Sequence, residues 1–349
     1  MKISILFKFI EGSWGGGNQF LKGLKKEFIR KEIYEENPAE AKIILFNGYP
    51  FRYEQFFNEI LQLKQRFSSK IVVHRLDGPI SFVRGKDEEI DKIIFLFNRL
   101  FVDGIIFQSN WCRKQNKKYF KISSRYETVI HNGPDNEIFN KENKEEFNSD
   151  GKIKLIAASW SSNWRKGFEF YKFLDENLDF STYEMTFVGN SPIKFKNIKC
   201  VKPILPEKLA EIFKKNDIYI TASQNDPCSN SLIEALSCGL PAVALNNGGH
   251  SELVKRGGEI FNRKEDILEK IEKIAKNYYW YQSQIPKFSI EKVAQRYYEF
   301  GEKICKDVLD GKYQPKQVKF FTKINFYKMK FMILRWKGLN KLGVIKRKL

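Results

Sequence analysis

Short runs of β-branched and aromatic residues alternate, over the first 145 residues or so, with longer stretches whose apolar positions recur at helical spacing. The runs are KISILFKF (2–9), AKIILFNG (41–48), KIVVH (70–74), DGIIFQS (103–109) and ETVIHNG (127–133). Strands separated by helices of ten or more residues rejoin one sheet in parallel, through right-handed crossovers. This half therefore predicts a doubly wound α/β sheet. NKENKEEFNSDGK (140–152) has no apolar period and clusters turn residues, which predicts a linker. The rhythm restarts with IKLIAASW (153–160), EMTFVGN (184–190), NIKCV (197–201), DIYITAS (217–223) and LPAVALN (240–246), a second sheet of the same class. Ser289 can cap a helix over 289–308, where apolar residues again fall at helical spacing. The predicted organisation is one α/β domain over 1–148, a second over 149–288, a closing helix over 289–310 that crosses back to the first, and a tail over 311–349.

Length and composition agree with this division. A chain of 349 residues exceeds the usual size of one hydrophobic core, and 42% hydrophobic residues suffice for two. Cys112, Cys200, Cys228, Cys238 and Cys305 are widely spaced and form no CxxC pair, which fits a reducing compartment. The start, Met1 to Phe9, is broken by Lys8 and followed by Glu11; it predicts a buried strand and not a signal sequence, so the expected location is cytoplasmic. The formal net charge of +19 is unevenly placed, because residues 311–349 hold twelve Lys or Arg and no Asp or Glu. In that tail basic residues alternate with aromatic and aliphatic ones, and the longest apolar run, Phe331 to Leu334, is far too short to span a bilayer. Such a segment suits the anionic inner face of the cytoplasmic membrane. The other readings are a tail packed on the first domain and a grip on nucleic acid; nothing in the folded body supports the last, and no nucleic acid is expected.

Three segments can carry chemistry. The first strand runs into Gly12-Ser-Trp-Gly15-Gly16-Gly17-Asn18 and then a helix, where backbone amides and a helix start can meet phosphate or sugar oxygens, or simply make a tight turn. Ser159-Trp-Ser-Ser-Asn-Trp-Arg165-Lys166-Gly167 follows a strand and sets two cations at the carboxyl edge of a sheet, suited to a diphosphate or standing as a solvated pair. In Thr221-Ala-Ser-Gln-Asn-Asp226-Pro-Cys-Ser229-Asn230-Ser231-Leu232-Ile-Glu234, a polar loop opens a helix whose first amides face an anion. Glu234, one turn inside, can accept from ribose hydroxyls or merely favour the helix dipole.

Taken in order and spacing, these segments resemble family 4 glycosyltransferases, the retaining group with the glycosyltransferase-B (GT-B) fold, over roughly residues 1–308. That family carries two acids separated by seven residues; here they are Asp226 and Glu234, the first being Asp in place of the usual Glu. The resemblance implies two Rossmann-like doubly wound domains facing a central cleft. It implies that Glu234 holds the donor ribose, that Asp226 lies beside the transferred sugar, and that the amides of Asn230, Ser231 and Leu232 meet sugar or phosphate oxygens. Lys166 matches the family's diphosphate lysine, while Arg165 either replaces or is unrelated to the basic residue that relatives carry where Ser159-Trp160 stands. Gly16, Gly17, Gly189, Asn190 and Ser229 complete the implied donor set. Asn132-Gly133 and Gly248-Gly249 with Glu252 resemble further family turns. His74-Arg-Leu-Asp77 falls where relatives place a histidine or acid toward the sugar; otherwise His74 caps a strand and Asp77 begins a turn. His131 and His250 fit no triad and no metal-ligand spacing, so no metal site is predicted. The implied function is sugar transfer, with retention, from a nucleotide sugar, UDP being commonest, to a glycan or lipid-linked acceptor in cell-surface polysaccharide synthesis. No cofactor beyond that co-substrate is expected. The alternatives are a nucleotide-sugar epimerase of the same fold and a nucleic-acid-binding protein.

Overall fold

The computed structural model describes residues 1–12, 15–47 and 54–346, with backbone alone from 339. Ser13 and Trp14 of the glycine loop, Gly48 of the predicted second strand and the tail beyond 346 lie outside the described residues. Two compact units form: Met1–Lys8, Lys25–Ile130 and Ala294–Leu349 make the first, Phe9–Leu24 and His131–Val293 the second.

In the first unit β1 (Ile3–Leu6), β2 (Ile43–Phe46), β3 (Ile71–Leu76), β4 (Gly104–Phe107) and β5 (Tyr126–Val129) lie side by side in that order, all parallel. They alternate in sequence with α1 (Gly16–Arg30), of which Gly16–Leu24 counts with the second unit, and with α2 (Glu54–Arg66), α3 (Ile80–Arg84), α4 (Glu88–Phe101) and α5 (Asn110–Phe120). A parallel bridge from Ile3 to Tyr34 extends the sheet beyond β1. The α1 crossover thus runs toward one edge and the later ones toward the other, which puts helices on both faces. Successive strand residues point to opposite faces. On one side Ile44, Phe46, Val72, Ile105 and Phe107 pack with Phe57 and Ile60 of α2 and with Phe97 and Phe101 of α4.

The second unit holds six parallel strands in the order β11-β10-β9-β6-β7-β8. They are β6 (Ile153–Ser159), β7 (Tyr183–Gly189), β8 (Lys199–Val201), β9 (Ile218–Thr221), β10 (Ala242–Leu245) and β11 (Gly258–Phe261). α6 (Phe168–Asn177), α10 (Asp266–Lys276) and α11 (Tyr278–Ser283) cover one face; α7 (Pro206–Lys214), α8 (Asn230–Ser237) and α9 (His250–Val254) cover the other. The predicted linker is not a free connector. Phe139 is buried in the core beneath α7 and α8, Phe147 stacks on Tyr278 with ring centres 4.2 Å apart, and Glu145 N donates to Lys214 O. The second unit therefore begins at His131 and not at 149, because Phe147 inside the polar stretch and Phe139 just before it tie the segment down.

The predicted closing helix is α12 (Ile290–Leu309), of which Ile290–Val293 counts with the second unit and the remainder with the first. In the first unit it lies against the sheet so closely that a Cβ on Gly301 would collide with Ile43, on the face opposite Ile44. The tail forms α13 (Phe320–Lys346), whose Phe326, Met329 and Ile333 enter the α2–α4 core, Phe326 meeting Phe101 edge to face at 5.8 Å.

A buried polar knot fixes the tail's entry. Asp103, fully buried before β4, accepts from Lys64 Nζ at 2.7 Å and Val72 N at 2.8 Å through one oxygen, and from Tyr313 OH and Lys316 N at 2.9 and 2.8 Å through the other. Burial lowers the Lys64 ammonium pKa, against the opposing pull of Asp103. Removing one partner of such a pair strands a buried charge, which typically costs ~3–5 kcal/mol, whereas replacing both with apolar residues is nearly neutral. Asp103→Ala is thus expected to lower the urea-unfolding free energy by about that amount. The double change to Lys64→Met with Asp103→Leu should recover only part of it, since Val72 N, Tyr313 OH and Lys316 N still lose their acceptor.

Candidate functional site

Strand order in the second sheet reverses between β6 and β9, which are neighbours with crossovers to opposite faces. Loops leaving such a pair diverge at the carboxyl edge and open a crevice, the usual ligand position in these sheets. The two loops here are 160–167 and 222–229, and they hold the strongest sequence candidates.

In the first loop Trp164–Lys166 form a 3-10 turn, with Asn163 accepting from Arg165 N at 2.9 Å through its side chain. Gly167 then takes φ 95°, and a Cβ there would lie 2.6 Å from that of Ala222. Both facts demand glycine, and the approach lets Gln224 N donate to Arg165 O at 2.7 Å. Thus held together, the loops place Lys166 Nζ 2.9 Å from Asp226 Oδ2. Burial alone would raise the Asp226 carboxyl; Lys166, with help from His250 and the Cys228 amide, outweighs it and holds the pKa below the ordinary value.

The Asp226 backbone is fixed by the next turn. Gly249 N donates to Asp226 O at 2.9 Å, and Gly248, at φ 68°, passes so near that a Cβ would collide with that oxygen. This explains the Gly-Gly pair. His250, wholly buried, stands 2.9 Å from Leu245 O through Nδ1, and Nε2 has no hydrogen-bond partner among the described residues. Its pKa is lowered, by burial first, although Asp226 pulls the other way. Sequence reasoning set His250 aside for want of a triad; its buried place beside Asp226 comes from the fold, and only the adjacent Gly-Gly hints at it.

The start of α8 supplies the second cluster. Ser229 precedes the helix with no side-chain cap bond, its hydroxyl 3.4 Å from that of Ser231, which accepts from Tyr219 OH at 2.8 Å. Asn230 Oδ1 accepts from Asn132 Nδ2 at 3.0 Å. Gly16 lies against the same residue, since a Cβ there would be 2.6 Å from Asn230 Cβ, while Gly17 has open space around it. The Leu232 side chain is in the core, so its amide alone is available to a ligand. The Glu234 carboxyl, one turn on and partly exposed, makes no hydrogen bond to another described residue, and burial pushes it up to about 7.

Gly189 and Asn190 end β7 against the start of the Lys166 loop. A Cβ on Gly189 would collide with Ser159 O, and Asn190 donates through its backbone to that oxygen at 3.1 Å and through Nδ2 to Trp160 O at 2.6 Å. Gly133 is likewise crowded, by the backbone of Ser289 and Ile290 at 2.9 Å. His131 Nε2 pairs with Glu252 at 3.1 Å.

His74 and Asp77 belong to the first unit. His74 is 2% exposed, packed among Phe46 and Phe97, with Nδ1 3.1 Å from Asn98 Oδ1; burial drops its pKa to about 4. The strand's inward register, and not a terminal cap, decides this place. Asp77 accepts from Asn47 and Arg75, each at 2.9 Å, and from Gln108. Buried Arg75 also donates to Asn47 Oδ1 at 2.5 Å and Gln108 Oε1 at 2.6 Å. This cluster joins the carboxyl ends of β2, β3 and β4. The sequence pointed to Asp77 alone, since strand order is what assembles its partners.

Residues 195–288, which include Asp226 and Glu234 but not Lys166, match the family model described as glycosyl transferases group 1. A probable sucrose-phosphate synthase from Thermosipho melanesiensis is 26% identical over 133 residues, a match covering 36% of this chain and only 31% of that relative. Solved structures reproduce the fold over most of the chain. Anabaena HepE in complex with UDP-glucose is similar at TM-score 0.62 and 12% identity, covering 89% of this chain and 100% of that one. Sucrose-phosphate synthase from Thermosynechococcus elongatus is similar at TM-score 0.61 and 13% identity, covering 99% of each. The two Rossmann-like units are thus those of the glycosyltransferase-B fold.

The raised Glu234 carboxyl has a consequence for stability. Its folded pKa of about 7 lies above the ordinary 4.5, so folding takes up a proton between those values, and above pH 7 the ionised group burdens the folded state. Glu234→Gln removes that burden. Its thermal midpoint should exceed that of the wild type at pH 8, and the two should converge below about pH 4.5.

Proposed function

We propose that the chain is a retaining glycosyltransferase that moves a sugar from a nucleoside diphosphate sugar, a UDP-sugar, to a glycan or lipid-linked acceptor in cell-surface polysaccharide synthesis. The observation that carries the reading is the Lys166–Asp226 pair at the strand-order reversal, beside the α8 start and Glu234. The similarity to HepE, described in complex with UDP-glucose, supports the choice of donor.

When the bond from the anomeric carbon to the diphosphate breaks, negative charge grows on the phosphate oxygens, and fixed positive groups there lower the barrier. Lys166 leaves Asp226 for the diphosphate, and the first amides of α8 add the positive end of a helix. With that charge met by protein groups, the reaction needs no divalent cation. Glu234, ionised once ribose hydroxyls donate to it, fixes the nucleoside. The acceptor hydroxyl attacks from the face that the diphosphate leaves, and its proton passes to the departing phosphate. Asp226, released from Lys166, turns its carboxylate toward the sugar.

Two measurements test this. UDP is expected to raise the thermal midpoint of the wild type, by ~2.7 kcal/mol of stabilisation at a hundredfold excess over Kd, with the shift absent in Glu234→Ala. No shift with any nucleotide would end the proposal. In turnover, Lys166→Ala should lower kcat by ~10²–10³ with a smaller change in KM. Activity should survive EDTA, require an acceptor, and give a product of the donor's anomeric configuration; epimerised donor without acceptor would overturn the reading.

A further inference from the structure

α13 has two apolar faces. Phe326, Met329 and Ile333 are buried in the first unit, at 1%, 0% and 3% exposure. Phe320, Ile324, Tyr327, Phe331 and Leu334 recur at the same spacing on the opposite side and stand 47–73% exposed. At 100° per residue this second stripe lies about 150° from the first. Lys323 and Lys330 border it on one side, Lys328 and Arg335 on the other, and all but half-buried Lys330 are exposed. Packing on the first unit therefore accounts for one face and leaves the other unused.

We propose that the outward stripe of α13 seats this protein on an anionic lipid surface, with the helix lying in the plane of the interface. Its apolar side chains enter the acyl boundary while the flanking lysines and Arg335 reach the headgroups, the arrangement by which interfacial helices bind. Charge decides among occupants. Residues 311–349 hold twelve Lys or Arg and no acid, so a second copy would oppose basic rows to basic rows. Nucleic acid would answer the charge but offers no surface on which to bury Ile324, Phe331 and Leu334 side by side. Among the described residues no helix is long and apolar enough to cross a membrane, which agrees with a helix resting on one. The inference stands independently of the proposed chemistry.

Co-sedimentation of the full chain with vesicles tests it. Phosphatidylcholine vesicles containing phosphatidylglycerol should carry the wild type down at low salt and release much of it as salt rises, while pure phosphatidylcholine should bind weakly. Phe331→Ser with Leu334→Ser should weaken binding at least tenfold, and Lys323→Gln with Lys328→Gln by about fivefold for each lysine removed. Both pairs point away from the core, so an unchanged unfolding midpoint accompanies the loss; the lysine pair stands as the test should the serine pair unfold early. The proposal fails if the wild type stays in solution with anionic vesicles at low salt, or if both variants bind like the wild type. It fails also if the wild type forms a dimer that the serine pair dissolves, or binds RNA in preference to vesicles.

Discussion

A parallel sheet whose crossovers change face must part its loops where the change occurs, and in the second unit everything of chemical interest follows from that parting between β6 and β9. The loops do not drift apart, because Gly167 brings one against Ala222 and Gly248 brings a third turn against Asp226. Two positions that tolerate no Cβ thus set a lysine and a carboxylate at contact distance in a site that solvent only partly reaches. The same closeness appears at α8, where Gly16 allows the start of α1 to lie on Asn230.

Much of this was legible in the chain. Alternating strand and helix periods foretold both sheets, and the spacing of Asp226 from Glu234 marked the region that the glycosyl transferases group 1 model matches. What escaped was contact between distant segments. Nothing near Arg75 announces Asn47 and Gln108, which reach it from neighbouring strands. His250 is two residues past Gly248 in sequence, yet its buried place beside Asp226 depends on where a turn folds back. The segment 140–152 looked like a linker because its polar residues outnumber its apolar ones, whereas a few side chains near it carry the packing. His74 misled for the opposite reason: a titratable residue at a strand end resembles a functional one until the strand's register turns it inward.

The tail shows a further limit of pattern reading. A helix with one apolar face announces itself by its asymmetry. In α13 two apolar faces oppose each other and the asymmetry cancels, so a sequence scan sees mixed lysines and aromatics where the fold has one side in contact and one side bare. The buried knot around Asp103 explains how a segment so basic is nevertheless held at its root: the backbone amide of Lys316 and the hydroxyl of Tyr313 are bound by a carboxylate that Lys64 already neutralises.

The Lys166–Asp226 pair carries one more implication. The cation that would greet a phosphate already has a resident counter-ion, tethered at an effective concentration that no dissolved anion approaches. Stray phosphate or sulfate, offering charge alone, must evict that carboxylate without recompense elsewhere in the crevice. A ligand that also engages Glu234 and the α8 amides can meet the cost through its other contacts. On the proposed reading the pair would act as a threshold: the site would respond to a molecule long enough to touch several points at once, and stay indifferent to fragments that touch one.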